Sequence, residues 1–225
     1  NIFAGLVPTR VETLIVIGFL GLNALFLGGF HDFGSRLQSR KIQVMRMVAD
    51  RAGVLAFGII PLIVLFAGRN NILTSLTGLP FQSFIVFHKY VARMMWIHAL
   101  IHSACYTAYA VHTNSVSAYF HKRYFVWGVG ATIFGGFILL QAFHVFRSRA
   151  YETFLIIHII LAILFIVACF WHCYDIGYLE WIYASWALWI FDRLLRVVRM
   201  VNFGFRNADV CLLYTSPSPR DSTSS

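Results

Sequence analysis

The hydrophobic pattern of this chain consists of long apolar runs separated by short polar connections. A membrane-spanning helix needs about 20 mainly apolar residues, and five runs free of Asp, Glu, Lys and Arg approach or exceed that length. They cover residues 13–30, 52–68, 94–110 with an upstream extension from 81, 124–146 and 153–174. A sixth run, from 176 to about 198, starts apolar and ends basic. The pattern predicts an all-α membrane protein, a six-helix transmembrane bundle that occupies residues 11–200.

The polar segments between and beyond these runs have different characters. Residues 34–51 are polar and basic, which favours a short amphipathic surface helix. Residues 70–80, NNILTSLTGLP, indicate a re-entrant or interfacial loop. Residues 1–10 form a flank without a start methionine, which we interpret as truncated. Residues 211–225 change abruptly to Ser, Pro and Thr, which indicates a disordered or foreign tail.

Composition excludes a soluble globular enzyme, since 59% of the 225 residues are hydrophobic and only 12% are charged. The formal net charge is +9, from 18 Lys and Arg against 9 Asp and Glu. In a membrane chain this excess reflects anionic lipid headgroups and loop bias, so we expect a lipid bilayer and no nucleic acid as partner. The basic residues do not decide the orientation. With the end after the sixth span inside, the inner side carries eight of them and the outer side seven.

Four of the nine histidines lie inside the runs at a matched spacing. The third run carries His88 and His102, and the fifth carries His158 and His172, with the same spacing of 14 in both cases. Fourteen helical steps of about 100° return to within about 40° of the same face and rise roughly 21 Å. The third and fifth spans run in the same direction, because one span intervenes. The spacing therefore predicts two facing pairs, His88 with His158 and His102 with His172, one near each side of the membrane.

A facing histidine pair in a helix bundle is able to fill both axial positions of a haem iron, and two stacked haems would bridge a hydrocarbon core of about 30 Å. Two other interpretations stay open from the residues alone. The histidines either satisfy backbone carbonyls, or line a path for metal ions or protons. His98 lies near the face of His88 but has no mate on the fifth run, and His144 is a candidate partner for a haem propionate.

Several stretches resemble the ferric reductase transmembrane domain, and within it the fungal-type ferric-chelate reductases, a family related to NADPH oxidases. The resemblance runs from about residue 5 to residue 210. It is carried by ADRAGVLAFGIIPLIVLFAGRNNILTSLTGLPF at 49–81, FHKYVARMMWIHALIHSACY at 87–106, YETFLIIHIILAILFIVACFWH at 151–172 and WALWIFDRLLRVVR at 186–199.

The resemblance implies two b-type haems, with His88 and His158 as axial ligands of the inner haem iron and His102 and His172 as ligands of the outer one. It also implies that the third and fifth spans run from inside to outside. Arg93, in the family's HxxxxR position after His88, and Arg69 of the RNN stretch are then candidate partners for a haem propionate or the flavin. Arg suits bidentate recognition of carboxylate or phosphate, and a snorkelling side chain is the alternative. Asp192 and Arg193 are expected to shape the contact with the flavin domain.

The activity that the resemblance implies is that of a ferric-chelate reductase (NADPH) in the plasma membrane. Electrons would pass from cytosolic FAD and NADPH domains through the two haems to ferric or cupric chelates outside. Residues 201–210 would begin the linker to the flavin domain, and FAD and NADPH are expected only in the full-length protein, since the sequence contains no GxGxxG signature. The alternative in the same class is a superoxide-producing NADPH oxidase core. The AGRNN, LTGLP and DRLLR stretches and the equal spacing of 14 favour the reductase.

Overall fold

The computed structural model describes residues 8–29 and 39–202, and this part of the chain is helical with no strand. In chain order the helices are α1 Arg10–Gly28, α2 Arg40–Ala67, α3 Ile72–Thr77, α4 Phe81–His112, α5 Val116–Phe120, α6 Arg123–Gln141, α7 His144–Arg149, α8 Tyr151–Cys173 and α9 Glu180–Asn202. The all-α class predicted from the sequence is confirmed. The predictions for most of the N-terminal flank, for the linker from residue 203 and for the tail lie outside the described residues.

Five of these helices, α1, α2, α4, α6 and α8, are long and apolar enough to cross a membrane. They correspond to the first five predicted spans. Helix α9 forms where the sixth span was predicted, but its acidic and basic residues keep it outside this set. A six-helix transmembrane bundle therefore stays a prediction, while five candidate spans are present.

Two predicted boundaries are wrong. A short surface helix was predicted within residues 34–51. Residues 34–38 lie outside the described residues, and residues 40–51 form the first turns of α2, where Ala49 is fully buried. No proline interrupts α2 before Pro61, and a proline inside a membrane helix is tolerated because neighbouring groups satisfy the freed backbone. The fourth predicted span also breaks early, since α6 ends at Gln141 and the short helix α7 follows.

Short polar signals set the helix ends. Thr9 and Glu12 form a reciprocal capping box at the start of α1, with Thr9 N–H donating to Glu12 Oε2 at 2.7 Å. Asn71 caps α3 by accepting from Leu73 N–H at 3.0 Å, and Gly78 ends this helix in the left-handed conformation, with φ of 70°. The NNILTSLTGLP stretch therefore contains one short helix within the predicted loop.

Two antiparallel helix pairs form the frame of the bundle. Helix α2 packs along α4, and α6 packs along α8, and these are the most extensive helix contacts in the described structure. We call α2 with α4 the first hairpin and α6 with α8 the second hairpin. Helix α9 packs on α2, and α1 lies against both helices of the first hairpin.

The apolar core lies where the two hairpins meet. Ile60 and Met95 of the first hairpin and Phe165 of the second belong to one buried cluster, which Ile182 of α9 completes. Many large apolar side chains face outwards instead, and Ile156 of α8 is 59% exposed. In a bilayer such side chains contact lipid tails, so an apolar surface of this kind is expected of a multi-pass membrane protein.

Candidate functional site

The structure brings the four histidines together as two facing pairs, each with one ring from each hairpin. The ring centres of His88 on α4 and His158 on α8 are 6.3 Å apart, with an interplanar angle of 61°. Those of His102 and His172, on the same two helices, are 6.0 Å apart and perpendicular at 90°. We call these the His88 pair and the His102 pair.

Both separations match two imidazoles that ligate one metal ion from opposite sides. A ligating imidazole nitrogen lies about 2.0 Å from the metal and about 1.1 Å from the centre of its own ring, so the two ring centres are expected to be about 6.2 Å apart. The observed 6.3 Å and 6.0 Å differ from this value by no more than a few tenths of an ångström. The spacing of the ring centres is therefore compatible with an ion between the rings.

The first hairpin holds both of its imidazoles through carbonyls of α2. His88 Nδ1 lies 2.9 Å from the carbonyl oxygen of Ile63, and His102 Nδ1 lies 2.8 Å from that of Ala49. Because a carbonyl only accepts, each Nδ1 carries the proton and each Nε2 keeps its lone pair. Ala49 and Ile63 have the same spacing along α2 as the two histidines have along α4. The two hydrogen bonds are therefore made at the same antiparallel register of α2 against α4.

The second hairpin uses a carbonyl once and a side chain once. His172 Nδ1 lies 2.7 Å from the carbonyl oxygen of Tyr124 in the first turn of α6. His158 Nδ1 lies 3.2 Å from the amide nitrogen of Gln141, while the amide oxygen of Gln141 is buried with no partner in the described structure. A half-turn of this amide lets its oxygen accept from His158 Nδ1–H. All four imidazoles then keep Nε2 as a ligand nitrogen.

This donor set fits haem iron better than a zinc or non-haem iron site. Two opposed neutral imidazoles complete the axial positions of a haem, whose other four ligands belong to the macrocycle. Protein metal sites without a macrocycle usually gather three or more side-chain ligands. Within the described ranges no group of three or more His, Cys, Asp or Glu converges in this way.

The other predicted site residues are placed as follows. Arg69 is exposed in the turn after α2, and Arg93 is exposed with its guanidinium carbon 5.6 Å from the centre of the Tyr90 ring. Neither arginine forms an ion pair with a described residue. The side chain of His144 lies outside the described part of the structure.

His98 does not take part in either pair. It is fully buried, and its Nε2 lies 3.0 Å from the Oδ1 of Asn23 on α1. The amide nitrogen of Asn23 donates in turn to the carbonyl oxygen of Phe19 at 2.8 Å. His98 therefore connects α4 to α1 and makes no pair with a histidine of α8.

Sequence reasoning missed several groups that support the pairs. The amide of Gln141 and the carbonyls of Ala49, Ile63 and Tyr124 carry no signal in the sequence, because any residue type supplies a carbonyl. Lys89 follows His88 directly, and its ammonium is buried without a hydrogen-bond partner in the described structure. A buried cation of this kind is costly unless an anion neutralises it.

A polar clamp joins two of the stretches that carried the resemblance. The carboxylate of Asp192 on α9 accepts from the backbone N–H of Asn70 at 3.0 Å, and the amide nitrogen of Asn70 donates to the carbonyl oxygen of Asp192 at 3.2 Å. Arg193 pairs with the other carboxylate oxygen at 2.8 Å. The DRLLR and RNN stretches are thus in direct contact, and they fasten α9 to the end of α2.

Comparison with known proteins identifies the same relationship over most of the chain. The family model described as "Ferric reductase like transmembrane component" matches residues 52–169. Ferric/cupric reductase transmembrane component 2 of Saccharomyces cerevisiae is 42% identical over 216 residues, which is 95% of this chain and 30% of that protein. Ferric reductase transmembrane component 3 of the same yeast is 43% identical over 216 residues, with the same coverage.

A relative from a second yeast gives a similar result. Ferric/cupric reductase transmembrane component 1 of Candida albicans is 37% identical over 213 residues, which is 93% of this chain and 28% of that protein. The chain therefore spans about 30% of the length of the curated relatives that it matches. Because the family model covers more than half of the chain and includes helices of both hairpins, the chain belongs to the fungal ferric reductase family.

Proposed function

We propose that this chain is the haem-holding membrane part of a ferric or cupric reductase and carries electrons across the bilayer. The observation that supports this most strongly is the pair of facing imidazole sites, at 6.3 Å and 6.0 Å, each built from both hairpins. Two such sites about 21 Å apart along α4 divide the hydrocarbon core into shorter steps. The relatives named above are ferric or ferric/cupric reductase components, which agrees with this function.

Each histidine has a specific task in this proposal. His88 and His158 would hold one haem b, and His102 and His172 the other. Haem would supply reversible one-electron chemistry there, and because two imidazoles would hold each iron, the group would carry electrons and bind no substrate. The carbonyl hydrogen bonds of His88, His102 and His172 fix the tautomer and the rotation of each ring and raise its basicity as a ligand.

Cationic side chains near the His88 pair would pair with the propionate carboxylates of the haem proposed there. Lys89 has a buried ammonium without a protein partner in the described structure, and a carboxylate would neutralise it. Arg93, one turn further along α4, is exposed and suits a carboxylate or phosphate group. Arg69 lies at the end of α2 beside the Asp192 clamp, and we propose that it faces the flavin domain together with α9.

The orientation follows from the family resemblance. The His88 pair would face the cytosol, where the FAD and NADPH domains of the complete protein would deliver electrons, and the His102 pair would face outwards at the plasma membrane. Hydride from one NADPH carries two electrons, and each ferric chelate takes one and is reduced to the ferrous state. Flavin chemistry must therefore separate the two electrons before they enter this chain.

Spectroscopy of the purified chain tests the proposal directly. We expect two b-type haems per chain, both reduced by dithionite and both reoxidised by added ferric citrate. The H102A/H172A double variant should retain one haem and lose most of the reoxidation rate, whereas H112A, which removes an exposed histidine at the end of α4, should behave like the wild type. A folded wild-type chain with a haem content near zero would refute the proposal and favour a histidine-lined transporter. With the FAD and NADPH domains attached, superoxide formation without ferric reduction would instead favour the oxidase.

A further inference from the structure

We infer that Gly53 and Gly128 are positioning residues for the His102 pair, because at both positions an added β-carbon would collide with the imidazole that reaches a helix carbonyl there. This inference rests on the proposed function and extends it to residues outside the ligand set. It is carried by two close approaches that the two hairpins make independently.

The first approach lies between α2 and α4. A β-carbon added to Gly53 would lie 2.6 Å from His102 Nδ1 and 3.0 Å from its Cε1. Real β-carbons essentially never come within 3.0 Å of another heavy atom outside their own chain neighbourhood. Any side chain at residue 53 must therefore displace the imidazole or separate α2 from α4.

The second approach repeats the first between α6 and α8. A β-carbon added to Gly128 would lie 2.7 Å from His172 Nδ1 and 2.8 Å from its Cε1. Each ring of the His102 pair therefore lies directly against a glycine, and the two glycines belong to different hairpins.

The position of each glycine explains why its lack of a side chain matters. Gly53 lies one helical turn after Ala49, and Gly128 lies one turn after Tyr124, and Ala49 and Tyr124 supply the carbonyls that accept from His102 and His172. In an α-helix the Cα–Cβ bond tilts towards the N-terminus, so the side chain of residue i+4 covers the carbonyl of residue i. A glycine leaves that carbonyl open, and its second lone pair accepts from the imidazole while the first serves the helix.

The device is specific to the His102 pair. His88 reaches the carbonyl of Ile63, whose i+4 residue is Ala67 at the very end of α2, and His158 is held by a side chain instead. Only the His102 pair has both rings held by carbonyls within continuous helix, and its rings are perpendicular. We expect the two glycines to set this ring angle, on which the electron paramagnetic resonance (EPR) g-values of a low-spin ferric haem depend.

The chain provides matched controls on the same two helices. Gly58 on α2 and Gly130 on α6 have no heavy atom within 4 Å of an added β-carbon. The G53A and G128A variants should each lose the haem of the His102 pair, or change the g-values and reduction potential of that haem alone. The haem of the His88 pair should keep its signal and so report that the chain is folded. The G58A and G130A variants should match the wild type in haem content, g-values and both potentials.

The G53A/H102A double variant separates positioning from a general packing defect. If Gly53 acts through the imidazole, the double variant should resemble H102A, with one haem left, even where G53A alone folds poorly. A double variant that also loses the haem of the His88 pair would overturn the inference. Four glycine variants with two haems and unchanged spectra would overturn it as well, while leaving the proposed function intact. A wild-type chain without haem would overturn the proposed function and this inference with it.

Discussion

Replacing Gln141 tests the proposed haem site of the His88 pair without changing either proposed ligand. The other three imidazoles are held by backbone carbonyls, which a side-chain substitution cannot remove, whereas His158 depends on the amide of Gln141. A hydrogen bond from Nδ1–H makes an imidazole a stronger donor and favours the ferric state of its iron. The Q141L variant should therefore raise the reduction potential of the haem in the His88 pair, and Q141E should lower it.

The size of the shift follows from the bond length. The contact to Gln141 is 3.2 Å, longer than the 2.7 Å to 2.9 Å of the carbonyl contacts, so we assign it about 1 kcal/mol, of which about half differs between the two oxidation states. For a one-electron couple 1.4 kcal/mol corresponds to about 59 mV, which gives an increase of about 20 mV for Q141L. A charge-assisted bond is roughly twice as strong, so Q141E should lower the potential by about 20 mV relative to the wild type and by about 40 mV relative to Q141L.

A spectroelectrochemical titration of the purified chain measures both potentials in one sample. The Q82L variant is the control, because Gln82 is exposed in the first turn of α4. The reasoning is refuted if Q141L and Q141E leave both potentials within error of the wild type. It is also refuted if they move the potential of the haem that H172A removes, because Gln141 would then act on the wrong pair.

Three further outcomes are expected. The H172A variant should bind one haem per chain by pyridine haemochrome assay, whereas H98A should keep two, because His98 bonds to Asn23 and not across to α8. The D192A variant should lower the midpoint temperature for loss of haem absorbance by about 6 °C, because it removes a hydrogen bond to Asn70 worth about 2 kcal/mol. The D192N variant should lower this midpoint less, because an acceptor oxygen remains. Dithionite should reduce the haems of the 225-residue chain, but NADPH with added FAD should not, and reduction by NADPH would contradict the expected division of tasks.

The sequence was sufficient to predict the five apolar helices and the way the four histidines face each other. The helices follow from the length of the apolar runs, and the facing of the histidines follows from their spacing and the regular geometry of the helix. Helix boundaries were predicted less well. The polar residues 40–51 look like a separate surface segment, but nothing in them stops a helix that has already started, so they continue into α2.

The supporting contacts of the site were beyond sequence reasoning for a different reason. The carbonyl of Ala49 and the glycine at 53 become informative only when α4 is known to lie against that face of α2. Gln141 is similar, because the sequence does not distinguish a glutamine that holds His158 from one that faces the membrane interface. Arg93 was singled out by its motif position, and its role stays a prediction, since the structure shows it exposed and beside the Tyr90 ring.

The division of each pair between the two hairpins has a consequence for biosynthesis. His88 and His102 lie on α4, whereas His158 and His172 lie on α8, so neither pair has both rings until α8 has entered the membrane. While α6 and α8 are being translated, the first hairpin therefore carries only one histidine of each pair. If the pairs hold haem as proposed, the same insertion event completes both sites, so loading of both is expected late and nearly together.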